Sequence, residues 1–249
     1  MDSPFVAKLA HGCVLTSADR STLETIAAAR RVVPPKEDII TEGDSPSDVH
    51  LVMEGIACRY KLLPSGQRQI MALLLPGDFC DLHVAILGAM DHSIGTLTAC
   101  TLVEIPRRVI DDLSRSEPRI TRALWWASLV DEAILREWLV SMGRRTAEQQ
   151  LAHLLCELLV RLQIVGRADA CSYDLPLTQE EIADTLGLSV VHVNRSLQKL
   201  RSEKLISLRS RRLKVLDVPR MQAFAGFTPS YLHLRDPPAA AVEERRRIV

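Results

Sequence analysis

Residues 177–201 read LTQEEIADTLGLSVVHVNRSLQKLR, and this segment carries the start and stop signals of two short helices. Thr178 is followed three residues later by Glu181, the capping-box spacing that satisfies free amides at a helix start. Gly187 lies where a left-handed residue can end the first helix, and Ser189 can cap the next one. These signals predict a helix-turn-helix.

The second of these helices has two contrasting faces. Val193, Leu197 and Leu200 recur at helical spacing, which predicts a buried stripe. On the other face, Arg195 can bind a guanine edge bidentately and Asn194 can bind an adenine edge. An ordinary helical hairpin with a charged solvent face is the alternative. We expect DNA contacts from ten residues of the two helices and their caps: Thr178, Gln179, Ser189, Val190, Val191, His192, Asn194, Arg195, Gln198 and Lys199.

Two short runs of alternating apolar residues follow, at 205–208 and 213–216, and they enclose a basic segment. This pattern predicts a β-hairpin wing, and we expect Arg209, Arg211 and Arg212 at its tip to contact phosphates. Residues 189–214 contain eight Arg or Lys against one acid. Because that excess suits a polyanion, it favours double-stranded DNA as the partner.

The net charge of zero over 249 residues conceals an asymmetry. Residues 1–142 hold 14 basic and 19 acidic side chains, whereas residues 143–249 hold 17 basic and 12 acidic ones. Only the C-terminal part is therefore suited to nucleic acid. With 47% hydrophobic and 25% charged residues, the composition is typical of a globular protein.

Neither a membrane span nor a leader is evident in the sequence. No run approaches the roughly 20 apolar residues that a bilayer crossing needs, and the N-terminus lacks a basic segment followed by an apolar one. The six cysteines are scattered without a CxxC pair, as reduced thiols would be. We therefore expect a cytoplasmic protein with no membrane partner.

Glycine-containing turn signals recur at regular intervals upstream, at 42–44, 53–55, 64–67 and 75–78. Short apolar runs separate them. This spacing predicts a series of antiparallel strands that closes into a small barrel or roll. We place the roll at 15–115.

A long amphipathic helix is predicted after the roll, at 116–143. Its apolar positions recur every three or four residues and are Ile120, Leu124, Ala127, Ile134, Trp138 and Met142. Leu135 and Leu139 form an adjoining line, so the apolar band is wide enough for both the roll and a symmetry mate. We expect a homodimer with Ile134 in the seam, since helix-turn-helix proteins usually read half-sites as dimers.

Gly143 marks a hinge after this helix. Thr146 and Gln149 repeat the capping-box spacing and open a leucine-rich helix. We place the DNA-binding domain at 146–222 and expect a poorly ordered tail at 228–249, where prolines, alanines and charged residues predominate.

This order of parts resembles the Crp/Fnr family of bacterial transcription regulators over residues 15–222. The most specific matches are Leu75-Pro76-Gly77-Asp78-Phe79 and the segment 177–208. The resemblance implies an α+β fold, with an N-terminal double-stranded β-helix of jelly-roll type as sensor, a dimerisation helix and a C-terminal winged helix-turn-helix. It also implies a homodimer that binds a pseudo-palindromic promoter site and contacts RNA polymerase.

The recognition helix departs from the commonest pattern of that family. Val191 stands where many members carry a glutamate that reads cytosine. Without the carboxylate this acceptor is missing, so we expect the target site to differ from the family consensus.

The sensor cassette departs as well. Cyclic-AMP-binding members carry Gly-Glu-Leu and then Arg-Ser, in which the arginine pairs with the cyclic phosphate and the glutamate with the ribose. The matching residues are Cys80-Asp81-Leu82 and His92-Ser93, and Leu135-Arg136 stand where a Thr-Ser pair would meet the adenine. Histidine lacks the bidentate fork that holds a phosphate, so we expect cyclic AMP binding to be lost. The candidate pocket for an unknown small-molecule effector comprises Gly77, Asp78, Phe79, Cys80, Asp81, Leu82, His92, Ser93, Leu135 and Arg136.

Other sensor and enzyme hypotheses stay open beside this one. A cyclic-nucleotide response is one of them. An iron–sulfur sensor is not favoured, because a cluster needs four thiolates and Cys13 stands alone near the N-terminus. Residues 79–83 resemble the cysteine and histidine of a haem-binding relative with the spacing off by one. A metal-dependent enzyme could use Asp81, His83 and His92. We favour none of these and expect no catalytic residue, no metal and no cofactor.

Overall fold

Seven strands of the N-terminal half form the two antiparallel sheets of a roll. The computed structural model describes residues 2–235, apart from the side chains of Val84 and Ala85. The strands are β1 (Arg30–Val33), β2 (Asp38–Ile40), β3 (Asp48–Glu54), β4 (Ala57–Leu62), β5 (Arg68–Leu74), β6 (Ser93–Thr96) and β7 (Cys100–Pro106). Their orders are β1-β7-β3 in one sheet and β2-β6-β4-β5 in the other. The predicted double-stranded β-helix is confirmed.

Glycine is required at the turns that close the roll. Gly77 has a φ of +92°, and a Cβ on it would stand 2.6 Å from the carbonyl oxygen of Pro4. Gly55 has a φ of +85°, and a Cβ there would stand 2.2 Å from the carbonyl oxygen of Ala99. Only glycine meets both demands, a left-handed backbone and a close backbone neighbour.

Nine α-helices lie within residues 2–235. They are α1 (Pro4–Leu9), α2 (Ser17–Ile26), α3 (Val84–Leu87), α4 (Arg107–Ser116), α5 (Pro118–Arg144), α6 (Ala147–Ile164), α7 (Gln179–Leu186), α8 (Val190–Ser202) and α9 (Val218–Ala225). Helix α1 lies before the predicted start of the roll at residue 15 and was not predicted, because six residues are too few to show a helical period. Phe5, Val6 and Leu9 nevertheless bury themselves in the core of the roll.

Helix α5 has one face in the protein core and another in solvent. Ile134 and Trp138 are buried among apolar residues of the roll and of α6. The prediction that Ile134 lies in a dimer seam is therefore wrong, because its side chain is already covered within this chain. The solvent face instead carries large apolar side chains, namely Trp125, Leu129, Leu135, Leu139 and Val140. The register of the helix against the roll decides which stripe stays free, and the spacing alone does not reveal it.

The C-terminal domain is a winged helix-turn-helix. Strands β9 (Ile206–Arg209) and β10 (Arg212–Val215) form the predicted hairpin, and β8 (Ser172–Asp174) adds a third strand beside β10 that the sequence analysis missed. Leucines of α6, α7 and α8 share one apolar core with Tyr173, which is fully buried and donates its hydroxyl to the carbonyl of Leu155 at 2.9 Å. The domain is thus built as expected.

The chain after α9 returns to the roll. Residues Pro229–Leu232 form a 3₁₀ turn with Leu232 buried, so the expected flexible tail at 228–249 does not hold for its first part. Trp126 Nε1 donates to the carbonyl of His233 at 3.3 Å, and Arg235 donates to the carbonyl of Gly12 at 3.2 Å. Residues 236–249 lie outside the described part of the chain. This returning segment straps the DNA-binding domain to α5 and to the N-terminus.

A buried charge cluster joins the two domains. The carboxylate of Asp78 lies 2.5 Å from Lys8 Nζ and 2.7 Å from Arg161 on α6, and Arg161 also reaches Glu157 at 3.0 Å. A second contact at the rim pairs Arg68 of β5 with Asp184 of α7 at 2.8 Å. Roll and DNA-binding domain therefore meet through charged as well as apolar groups.

Among residues 2–235, none of the helices combines the length and the apolar character that a membrane crossing requires.

Candidate DNA-binding surface and effector cassette

The caps of the helix-turn-helix form as the sequence predicts. Thr178 accepts a hydrogen bond from Glu181 N while the Glu181 side chain accepts from Thr178 N, which completes a capping box. Gly187 is left-handed with a φ of +64°, and Ser189 accepts from His192 N at the start of α8. These local contacts fix the angle at which α8 leaves the domain, and hence which of its faces is presented.

The outward face of α8 is open to solvent. Val190 and Val191 are 44% and 59% exposed, and Arg195 and Gln198 are exposed beside them. Val193, Leu197 and Leu200 are buried as predicted. Exposed apolar residues are common on protein surfaces, but these two valines lie side by side, and their methyl groups can contact the methyl of thymine.

Asn194 is half-buried and already has a partner. Its Nδ2 donates to Gln179 Oε1 at 3.2 Å. The pair ties α8 to the first turn of α7, so Gln179 and Asn194 help to position α8.

The tip of the wing is a tight turn with two left-handed residues. Ser210 and Arg211 have φ values of +48° and +62°, the conformation of a type I′ hairpin. Within the described residues, Arg209 and Arg211 are exposed and make no ion pair. Arg212 differs, because its guanidinium reaches Asp174 at 2.8 Å and Asp169 at 2.6 Å. Arg212 therefore braces the wing, and a phosphate would have to compete with these two carboxylates for its guanidinium.

The residues expected to form the effector pocket do not line one cavity. Asp81 is fully buried, where its carboxylate accepts from His50 N at 2.6 Å and from His50 Nδ1 at 2.8 Å. Cys80 is fully buried beside it, and burial raises the pKa of its thiol well above the ordinary value. A neutral core thiol is a poor haem ligand, so the structure lends no support to the haem hypothesis.

The neighbours of these residues point elsewhere. Gly77 and Asp78 belong to the domain junction, and Phe79 packs edge-on against Phe5 with ring centroids 5.4 Å apart. Ser93 accepts from Glu42 N at 3.0 Å, and Leu82 is half-buried. The backbone of this cassette is thus fixed by contacts within the roll.

Leu135 and Arg136 face solvent rather than the cassette. Arg136 pairs with Glu132 one turn earlier at 3.4 Å. The α5 residue that reaches the cassette is Asp131, which accepts from Arg59 Nη2 at 3.1 Å, while Arg59 also donates to the carbonyls of Phe79 and Cys80. Within this chain Leu135 and Arg136 lie about one helical turn from the α5 residue that contacts the cassette, and their contact with an effector stays a prediction.

Two histidines of the cassette do come together. The rings of His83 and His92 have centroids 5.4 Å apart, and His92 Nδ1 lies 2.6 Å from a carboxylate oxygen of Asp91. Burial lowers the pKa of both imidazoles. The carboxylate near them is Asp91 and not Asp81, so the grouping of Asp81 with His83 and His92 needs correction.

Both domains of the chain match domain families of known proteins. Residues 30–117 match the cyclic nucleotide-binding domain, and residues 149–224 match the Crp-like helix-turn-helix domain. The transcriptional activatory protein AadR of Rhodopseudomonas palustris is 34% identical over 220 residues, which are 85% of this chain and 87% of that protein. The chain belongs to the Crp/Fnr family.

Two further relatives agree with this membership. The nitrogen fixation regulation protein FixK of Bradyrhizobium diazoefficiens is 30% identical over 190 residues, which are 76% of this chain and 78% of FixK. The solved structure of FixK2 from Bradyrhizobium japonicum has a TM-score of 0.72 at 24% identity, and the match covers 80% of this chain and 98% of FixK2. This Crp/Fnr protein is a DNA-binding transcription regulator.

Several residues of this regulator escaped sequence reasoning. Lys8, His50 and Arg59 lie 70, 31 and about 20 positions from their partners Asp78, Asp81 and the cassette carbonyls, so no local pattern marks them. Glu157 and Arg161 could have been recognised from the sequence. They are charged residues four positions apart on the leucine-rich face of α6, and charged residues on a buried face are usually paired.

For this Crp/Fnr regulator we predict that Arg195→Ala weakens binding to the preferred site by about 1 to 3 kcal/mol and relaxes the preference at one base pair. The reason is that an exposed guanidinium on α8 can bind one guanine edge. A binding-site selection on random DNA, followed by titration of the selected site, measures both effects. Unchanged affinity together with unchanged base preference would refute the assignment.

The matched control is Arg211→Ala at the tip of the wing. A phosphate contact carries no sequence information, so this variant should weaken all sequences alike and reduce the salt dependence by about one charge.

Proposed function

We propose that the chain acts as a homodimeric regulator that reads a pseudo-palindromic promoter site through α8, with a sensor roll that takes no cyclic AMP. The pairing of Asp81 with His50 supports the proposed loss of cyclic AMP binding. The Asp81 carboxylate already accepts two hydrogen bonds inside the roll, so it is not available to a ribose hydroxyl.

The phosphate side of the cassette leads to the same proposal. His92 takes the place of the arginine, and its imidazole is neutral near pH 7 because burial lowers its pKa. Arg59 is the nearest guanidinium, but it donates to Phe79, Cys80 and Asp131. A cyclic phosphate would thus have to displace an existing set of charge-assisted hydrogen bonds.

The free face of α5 supports the homodimer. Leu135 and Leu139 are 52% and 68% exposed, and Trp125 and Leu129 extend the same apolar stripe towards the N-terminus of the helix. A contiguous apolar face of this kind on a 27-residue helix marks an interaction surface. A two-fold pairing along α5 would set two copies of α8 on successive half-sites of the DNA.

The relatives named as activators support contact with RNA polymerase during activation. Because its target is chromosomal DNA, the protein would act in the cytoplasm. Val190 and Val191 at the start of α8 favour a target with thymine methyl groups in each half-site.

We predict that Leu139→Glu shifts the protein from dimer to monomer, since two carboxylates would meet in an apolar seam. Sedimentation velocity at micromolar concentration measures the shift. Val32→Glu is the matched control, because Val32 is 72% exposed on β1 and lies away from α5. A monomeric wild-type protein, or an unshifted Leu139→Glu dimer, would contradict the proposed seam.

We also predict that millimolar cyclic AMP leaves DNA affinity unchanged. Loss of the arginine–phosphate pair removes about 1.5 to 3 kcal/mol, which is one to two orders of magnitude in affinity. Calorimetry of the protein with cyclic AMP and a gel shift in its presence measure binding and response. A saturable micromolar affinity, or DNA binding that depends on the nucleotide, would count against the proposal.

A further inference from the structure

The histidines of the cassette have buried ring nitrogens without partners. His92 is 8% exposed and His83 is half-buried. Within the described structure, the Nε2 atoms of both rings are enclosed and make no hydrogen bond. A buried polar atom without a partner costs about 1 to 3 kcal/mol, and here two such atoms occur in neighbouring rings. Such a pair is a candidate site for a ligand that both rings would share.

Asp91 prepares one of these rings for coordination. Its carboxylate oxygen lies 2.6 Å from His92 Nδ1, which favours the tautomer with the proton on Nδ1 and a hydrogen bond from Nδ1 to the carboxylate. The lone pair of His92 is then on Nε2, the atom without a partner. A carboxylate that holds the far nitrogen of a histidine in this way is the usual support of a metal-ligating imidazole.

The three residues are close enough to serve one ion. A candidate ligand atom of each of His83, Asp91 and His92 lies within 4.8 Å of those of the other two. An ion held by both rings would lie about 2.1 Å from each ligating nitrogen. Asp91 lies on the Nδ1 side of His92 and is exposed, whereas the two Nε2 atoms are enclosed.

We propose that His83 and His92, supported by Asp91, bind a divalent first-row transition-metal ion in the cassette of this protein. Two imidazoles favour ions such as Zn²⁺, Co²⁺ or Fe²⁺ and disfavour Mg²⁺ and Ca²⁺, which prefer oxygen ligands. The proposal replaces the expectation that the chain has no metal site. It does not depend on the proposed regulation of DNA binding, because the test below measures metal binding alone.

The surrounding charges are compatible with a cation. Arg59 acts on both rings and Lys61 on His92 as positive groups that oppose a cation, and Asp131 pairs with Arg59 at 3.1 Å. Asp91 and Asp81 bring negative charge to His83.

The test titrates tag-free full-length protein with Co²⁺ and Zn²⁺, using the visible absorbance of Co²⁺ and calorimetry. We expect one saturable site per chain with micromolar affinity or better, and no site for Mg²⁺. His83→Gln and His92→Gln should each weaken binding by at least about tenfold, and Asp91→Asn should weaken it by about 10- to 100-fold.

His192→Gln is the matched control, since His192 is an exposed histidine at the start of α8 and should leave metal binding unchanged. Circular dichroism checks that each variant is folded, and Asp91→Asn keeps the test decisive because that side chain is exposed and its change cannot empty the core. No saturable binding in the wild type, equal binding in the three cassette variants, or equal loss in His192→Gln would overturn the proposal.

Discussion

The carboxylate of Asp78 is the point at which the parts of this molecule meet. It is 3% exposed and accepts hydrogen bonds from Lys8 of α1, from Arg161 of α6 and from the backbone of Leu75. Burial by itself would raise the pKa of Asp78, but the two cations hold it below its ordinary value. A buried carboxylate stripped of its partners costs several kcal/mol, so the roll turn, the N-terminal helix and the DNA-binding domain depend on one another.

The same polar network continues in both directions from Asp78. Arg161 reaches Glu157, which accepts from Trp138 of α5 and from Tyr231 of the returning C-terminal segment. Lys8 lies 3.9 Å from Asp131, which is the partner of Arg59 at the cassette. Cassette, α5 and DNA-binding domain thus share one chain of charged contacts.

Local signals made the helix-turn-helix predictable, whereas long-range partners did not reveal themselves. The capping box at Thr178, the left-handed Gly187 and the stripe through Val193 depend on neighbours within a few residues, and all three occur as predicted. Asp78 is predicted to line an effector pocket but lies in the domain junction. Its partners Lys8 and Arg161 are 70 and 83 positions away, so no local pattern reveals them. The same limit explains the misplaced dimer stripe of α5, since the choice among adjoining apolar lines is made by packing against the roll and α6.

A double-mutant cycle on Asp78 and Arg161 tests most directly whether this buried pair holds the domains together. The free energy of unfolding in urea would be measured for the wild type, Asp78→Asn, Arg161→Met and the double variant, with Arg68→Met and Asp184→Asn as a rim pair for comparison. We expect a coupling energy of about 1 to 3 kcal/mol for Asp78 and Arg161 and less than about 1 kcal/mol for the rim pair. Additivity of the two substitutions within about 0.5 kcal/mol would contradict the account, because the domains would then be joined by other contacts.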